Sequence, residues 1–120
     1  MAGSEHEDRA RFEELVGDAL DGLPEWVREK LENISVAVED DPPDGNPTLL
    51  GLYEGIPLTN RGVQYTWAMP DRITLFRHNI ERASRHRPDV VRRVVAHTVI
   101  HEIAHFFGIS DDRLRELGAY

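Results

Sequence analysis

From Pro88 to Phe107 the chain reads PDVVRRVVAHTVIHEIAHFF. Val90, Val91, Val94, Val95, Val99, Ile100, Ile103 and Ala104 recur at the spacing of an α-helix and cover a broad sector of it. Pro88 and Asp89 suit a helix start, and Gly108 suits a left-handed stop. The pattern predicts a long, nearly buried helix. Other elements must then cover most of its circumference, which rules out an open or extended architecture.

The rest of the chain offers that cover. Residues 7–21 carry Phe12, Leu15, Val16, Ala19 and Leu20 at helical spacing, with acids on the other face. Gly22 ends this helix, and Leu23-Pro24 opens a second one over Glu25–Leu31. Ile34–Glu39 alternates as a strand does. DDPPDGNP, residues 40–47, has to be a loop. Thr48–Tyr53 and Arg72–Phe76 read as further strands. Residues 54–70 form a long connection with a short edge strand around Val63–Tyr65. Ser110 caps a last short helix reaching Leu117. The order predicts an α+β domain, single over residues 1–120, with residues 1–8 a disordered N-terminus.

Composition narrows the chemistry. The 120 residues include no cysteine, so disulfides and thiolate metal sites are excluded, and any metal must sit on His, Asp or Glu. No apolar run is long enough to span a bilayer, and the polar, acidic start lacks a secretory core. A cytoplasmic monomer without a membrane partner is the expectation. The net charge is −8, unevenly spread: residues 1–45 hold 14 acids and four bases, residues 46–120 eight acids and ten bases. Two charged surfaces that meet within the fold account for this. The alternative is a nucleic-acid patch built on Arg72, Arg77, Arg82, Arg85, Arg87, Arg92 and Arg93, which the overall acidity disfavours.

The chemistry concentrates in HEIAHFFGISDD, His101 to Asp112. His101 and His105 lie four apart, one turn above the other on one helix face, so two imidazoles can reach a single ion. Glu102 points about 100° away, a poor ligand position but a good one for taking a proton from water at the ion's open side. Gly108 lets the chain turn back, and Asp111 can then supply a third ligand. Two His, one carboxylate and an open position make a catalytic zinc set. Asp111 and Asp112 are also ordinary first-turn acids at a helix start, and Asp112 is the alternative ligand. His97, one turn before His101, reads as a buried-edge histidine with a hydrogen bond; the alternatives are a ligand pair with His101 or an orienting neighbour of a ligand. His6, His78 and His86 read as surface residues, and Trp26 and Trp67 as core or wall.

HEIAHFFGISD matches the zincin pattern HExxHxxGxxD, a metzincin variant with Asp for the third His. The stretches LLGLYEGIPLT, PDRITLF and VIHEIAHFFGISDDRL resemble a family of small bacterial zinc metallopeptidases with a minimal zincin-like fold, from about Phe12 to Leu117. The resemblance implies a small mixed sheet packed on an N-terminal helix and a long active-site helix. It implies His101, His105 and Asp111 as zinc ligands and Glu102 as general base. The chain departs from metzincins in lacking a methionine turn: Met1 and Met69 are its only methionines.

Two functions follow. In the first, a zinc peptidase cuts a peptide or protein substrate held along an edge strand, Thr48–Tyr53 or Val63–Tyr65. Tyr53, Tyr65 and Tyr120 are then candidates to stabilise the oxyanion. In the second, the same zinc site belongs to a module that binds peptides and cuts little or nothing. A carboxylate at position 102 favours the first, because a purely structural site has no use for a base.

Overall fold

The computed structural model describes residues 2–55 and 71–118, with side chains from residue 5 onward. Helix α1 (Ala2–Asp21) and helix α2 (Glu25–Leu31) lead into strand β1 (Ile34–Glu39). Strands β2 (Gly51–Glu54) and β3 (Asp71–Phe76) follow, then helices α3 (Arg77–Ala83), α4 (Pro88–Phe106) and α5 (Asp111–Glu116). The expected α+β class holds. Among the described residues no helix is long and apolar enough to cross a membrane.

The sheet runs β1-β3-β2. β3 pairs in parallel with β1, Ile34 opposite Asp71 through Glu39 opposite Phe76. It pairs antiparallel with β2, Tyr53 opposite Ile73. The central strand carries the sheet's share of the core: Ile73, Leu75 and Phe76 are buried. So are Val91, Val95, Val99, Ile100, Ile103 and Ala104 of α4, and Phe12, Val16 and Ala19 of α1 close over that helix. The apolar sector read from the sequence is thus covered by α1 and the sheet. Trp26 packs half-buried against this core, while Trp67 lies outside the described residues.

Three expectations shift. Helix α1 begins at Ala2, so the stretch expected to be disordered is helical here, and Glu5 reaches across to Arg77 and His78. The second strand begins at Gly51 rather than Thr48. The Asn46 side chain takes the Thr48 amide and hydroxyl, and buried Asn79 takes the carbonyls of Asn46 and Leu49, so these groups serve a turn instead of a ladder. Third, α3 stands where no element was read. Its seven residues are too few to show a period, and Arg77 and Asn79 sit among its buried positions. The expected edge strand around Val63–Tyr65 lies outside the described residues.

The two charged halves do meet within the fold. Arg77, 1% exposed, bonds Asp40 at 2.9 Å, Glu81 at 3.1 Å, and Glu5. Arg9 joins Asp40 and donates to the Val38 carbonyl, and His78 lies against Asp41. The network ties the first turns of α1 to the end of β1 and the start of α3. It also removes Arg77 from the arginine stretch considered as a surface patch. Arg72 pairs with Glu54, and Arg82 donates to Asn79 and the Pro47 carbonyl.

Candidate active site

Two neighbouring stripes of α4 build the site. His97, His101 and His105 recur at i, i+4 and i+8 and share one face; Thr98, Glu102 and Phe106 do the same, rotated by one residue. The sheet docks on the second stripe. Gly51 faces Thr98, so close that an added Cβ would lie 2.7 Å from the Thr98 Cγ2. The Tyr53 ring stacks on Phe106 at 4.1 Å between centroids and 15° between planes. Between these two contacts, the Tyr53 backbone N–H donates to Glu102 Oε2 at 3.3 Å.

The pleat explains why that amide is available. The Leu50 carbonyl accepts from the Phe76 amide, so the backbone groups of residues 50, 52 and 54 face β3 and those of 51 and 53 turn away from it. β2 is an edge among the described strands, and its outer side meets α4. The expected substrate-holding edge therefore has its Tyr53 amide engaged by Glu102. The Tyr53 hydroxyl is also directed elsewhere, donating to Asp71 Oδ2 at 2.9 Å, which takes it away from the oxyanion role considered above. Tyr65 and Tyr120 lie outside the described residues.

Glu102 is half-buried. Burial pushes its carboxyl pKa up from the ordinary value, while the Tyr53 amide and the charge of His105 pull it back down. His101 moves the other way. Burial lowers its pKa, His97 and His105 lower it further, and the Asp111 carboxylate opposes them. These surroundings favour the neutral imidazole, the form that can donate a lone pair to a metal. His97 is exposed rather than at a buried edge, because its stripe of α4 faces outward there, and its ring lies tilted at 35° against that of His101, 4.2 Å between centroids. His105 is exposed.

The end of α4 brings Asp111 round. Gly108 takes φ +70°, and the Ile109 amide returns to the Ala104 carbonyl at 2.8 Å, the six-to-one closure of a Schellman turn. Ser110 then caps α5, its hydroxyl accepting from the Arg113 amide at 3.1 Å. The charge of Asp111 acts on His101, whereas Asp112 bonds Arg115 at 3.1 Å. The two adjacent acids thus face different neighbours.

One trio of histidine and carboxylate side chains among the described residues has its ligand atoms all within 4.8 Å: Glu5, Asp40 and His78. The sequence did not single these out together, because they come from α1, the turn after β1 and α3, and α3 was not foreseen. Arg77 lies among them and neutralises the carboxylates, so the trio belongs to the ion-pair network. The ligand atoms of His101, His105 and Asp111 are not all gathered that closely, and drawing them onto one ion requires side-chain movement.

As a donor set, two imidazoles from consecutive turns and a carboxylate from the next helix suit a borderline-soft divalent metal. No curated protein matches the chain. The family described as zincin-like metallopeptidase matches residues 31–119, from the end of α2 to beyond α5. That span takes in all three described strands and the whole of α4, and the small α+β fold agrees with it. The chain belongs to the zincin-like metallopeptidase family.

Proposed function

We propose that the protein is a zinc-dependent peptidase, acting as a cytoplasmic monomer on a peptide or protein substrate, with His101, His105 and Asp111 as ligands and Glu102 as general base. The observation that carries this reading is the environment of Glu102. A half-buried carboxylate, placed between two potential ligands and held by an edge-strand amide, is costly in a purely structural helix. It is well suited to proton transfer, because burial moves its affinity for a proton towards the working range of a base.

Zinc, when bound, supplies a Lewis acid that polarises the scissile carbonyl and acidifies water. The chain's own groups do the rest. His101, whose surroundings favour the neutral form, and His105 present imidazoles from one face of α4. Asp111 adds a negative charge that offsets the cation. Glu102 accepts a proton at its carboxylate from the attacking water and returns it to the departing amine. The core behind α4 fixes the spacing of all three helix residues.

Purified wild type should hold about one zinc per chain by elemental analysis, and the His101→Ala, His105→Ala double variant none. Asp111→Ala should weaken zinc binding far more than Asp112→Ala; the reverse order transfers the ligand role. In a peptide library read out by new amino termini, Glu102→Gln should keep its zinc and cut about 10²- to 10⁴-fold more slowly. Equal cutting by wild type and Glu102→Gln would refute the mechanism. Zinc-dependent peptide binding without cutting would make the protein a binding module instead.

A further inference from the structure

We infer that Tyr53 is a positioning residue for Glu102. The inference rests on the proposed role of Glu102 and concerns a contact between the chain's own groups, the Tyr53 amide and the Glu102 carboxylate. Three independent constraints fix the Tyr53 main chain at one height above α4. Its neighbours Leu52 and Glu54 pair with β3. Its ring lies flat on Phe106, one turn beyond Glu102 on the same stripe of α4. Its hydroxyl donates to Asp71, a 5%-exposed carboxylate at the start of β3.

The Asp71 end is itself tightly packed. An added Cβ on Gly55 would lie 2.4 Å from Asp71 Oδ1, so a side chain there would push that carboxylate aside. Tyr53 therefore spans from the central strand to the helix, and its amide is delivered to Glu102 Oε2. Glutamate side chains are flexible, and an unanchored one samples several rotamers. Donation to one carboxylate oxygen selects among them and leaves the other oxygen to face the reacting water. Strand β2 thus acts on the base, and a bound peptide must take its register from amides other than that of Tyr53.

Hydrogen exchange of the zinc-free protein tests the contact directly. The Tyr53 amide should be protected in wild type and in Glu102→Gln, and should exchange about 10- to 100-fold faster in Glu102→Ala, with the amides of β3 unchanged as controls. Equal exchange in wild type and Glu102→Ala would overturn the inference. The second arm uses the zinc-loaded protein. Tyr53→Ala should keep its zinc and KM and lose about 10- to 100-fold in kcat, as expected for a displaced catalytic group. Tyr53→Phe, which keeps the stack on Phe106, should restore most of that loss. In a Glu102→Gln background, Tyr53→Ala should cost nothing more; an undiminished further loss there would show that Tyr53 acts on something other than Glu102. Wild type that turns over no peptide while its Tyr53 amide is protected refutes the peptidase reading and leaves the contact standing.

Discussion

Gly51→Ala tests how closely the sheet must sit on α4. The new Cβ would lie 2.7 Å from Thr98 Cγ2, 3.2 Å from the Thr74 carbonyl oxygen and 3.5 Å from Leu75 Cδ2. Carbon atoms in contact prefer about 3.5–4.0 Å, so the first overlap is close to 1 Å and β2 has to lift from the helix. Overpacking of this kind costs about 1–3 kcal/mol. Loss of glycine's freedom in the unfolded chain returns about 0.4–1 kcal/mol. The expected net is a destabilisation of about 1.5 kcal/mol. Thr98→Ser removes the offending methyl and keeps the hydroxyl that donates to the Val94 carbonyl at 2.7 Å. Alone it should cost about 1 kcal/mol for one buried methyl. In the double variant the alanine occupies the space vacated, so the pair should cost about 1 kcal/mol, well below the sum. Urea denaturation with unchanged m-values is the assay. A double variant that equals the sum of the singles to within about 0.5 kcal/mol would refute the packing argument.

Arg77→Met removes the hub of the ion-pair network and should destabilise by about 2–4 kcal/mol, less than a fully buried pair because Glu5 and Asp40 remain largely in water. Hydrogen bonds from Arg77 hold the carboxyls of Glu5 and Asp40 below their ordinary values of 4.5 and 3.8. Their contribution is therefore present above those values and lost as pH falls through the lowered ones. An acid limb of stability as steep in Arg77→Met as in wild type would show that the network does not govern it. Glu102 has the opposite sign. Burial raises its folded pKa above 4.5, so its contribution is present at lower pH and lost as pH rises through the raised value. Chelator-treated Glu102→Gln should gain on wild type as pH rises above 4.5 and through the raised value; parallel curves for the two proteins would refute that.

The elements that could be read from the sequence are those whose apolar pattern repeats long enough to be seen. Helix α4, with seven buried positions, declared its limits at Pro88 and Gly108. Strand β1 was legible to the residue. Helix α3 was not, because Phe76 precedes it in an extended conformation without a side-chain cap and Ile80 is its one buried aliphatic residue. Spacing alone showed that His101, Glu102 and His105 share a helix. It could not show the Tyr53 amide at Glu102, since that bond joins residues 49 apart and depends on the pleat of β2. Nor could it show the tilted contact of the His97 and His101 rings, which is a matter of rotamers.

The buried back of α4 has a consequence for how the front of that helix varies. A helix with its side chains is about 10–12 Å across, so turning it by 10° about its own axis carries an imidazole tip through about 1 Å. A displacement of that size at a reacting centre can cost about a hundredfold in rate. What sets the rotation is the fit of Phe12, Val16 and Ala19 against Val91, Val95 and Val99. These positions act as the calibration screws of the instrument. A slightly larger or smaller residue at Val16 or Ala19 should leave the fold and the donor atoms in place and still detune the site. Substitutions in α1, outside the family-matched span, would then surface in an activity screen as defects with no visible link to the chemistry.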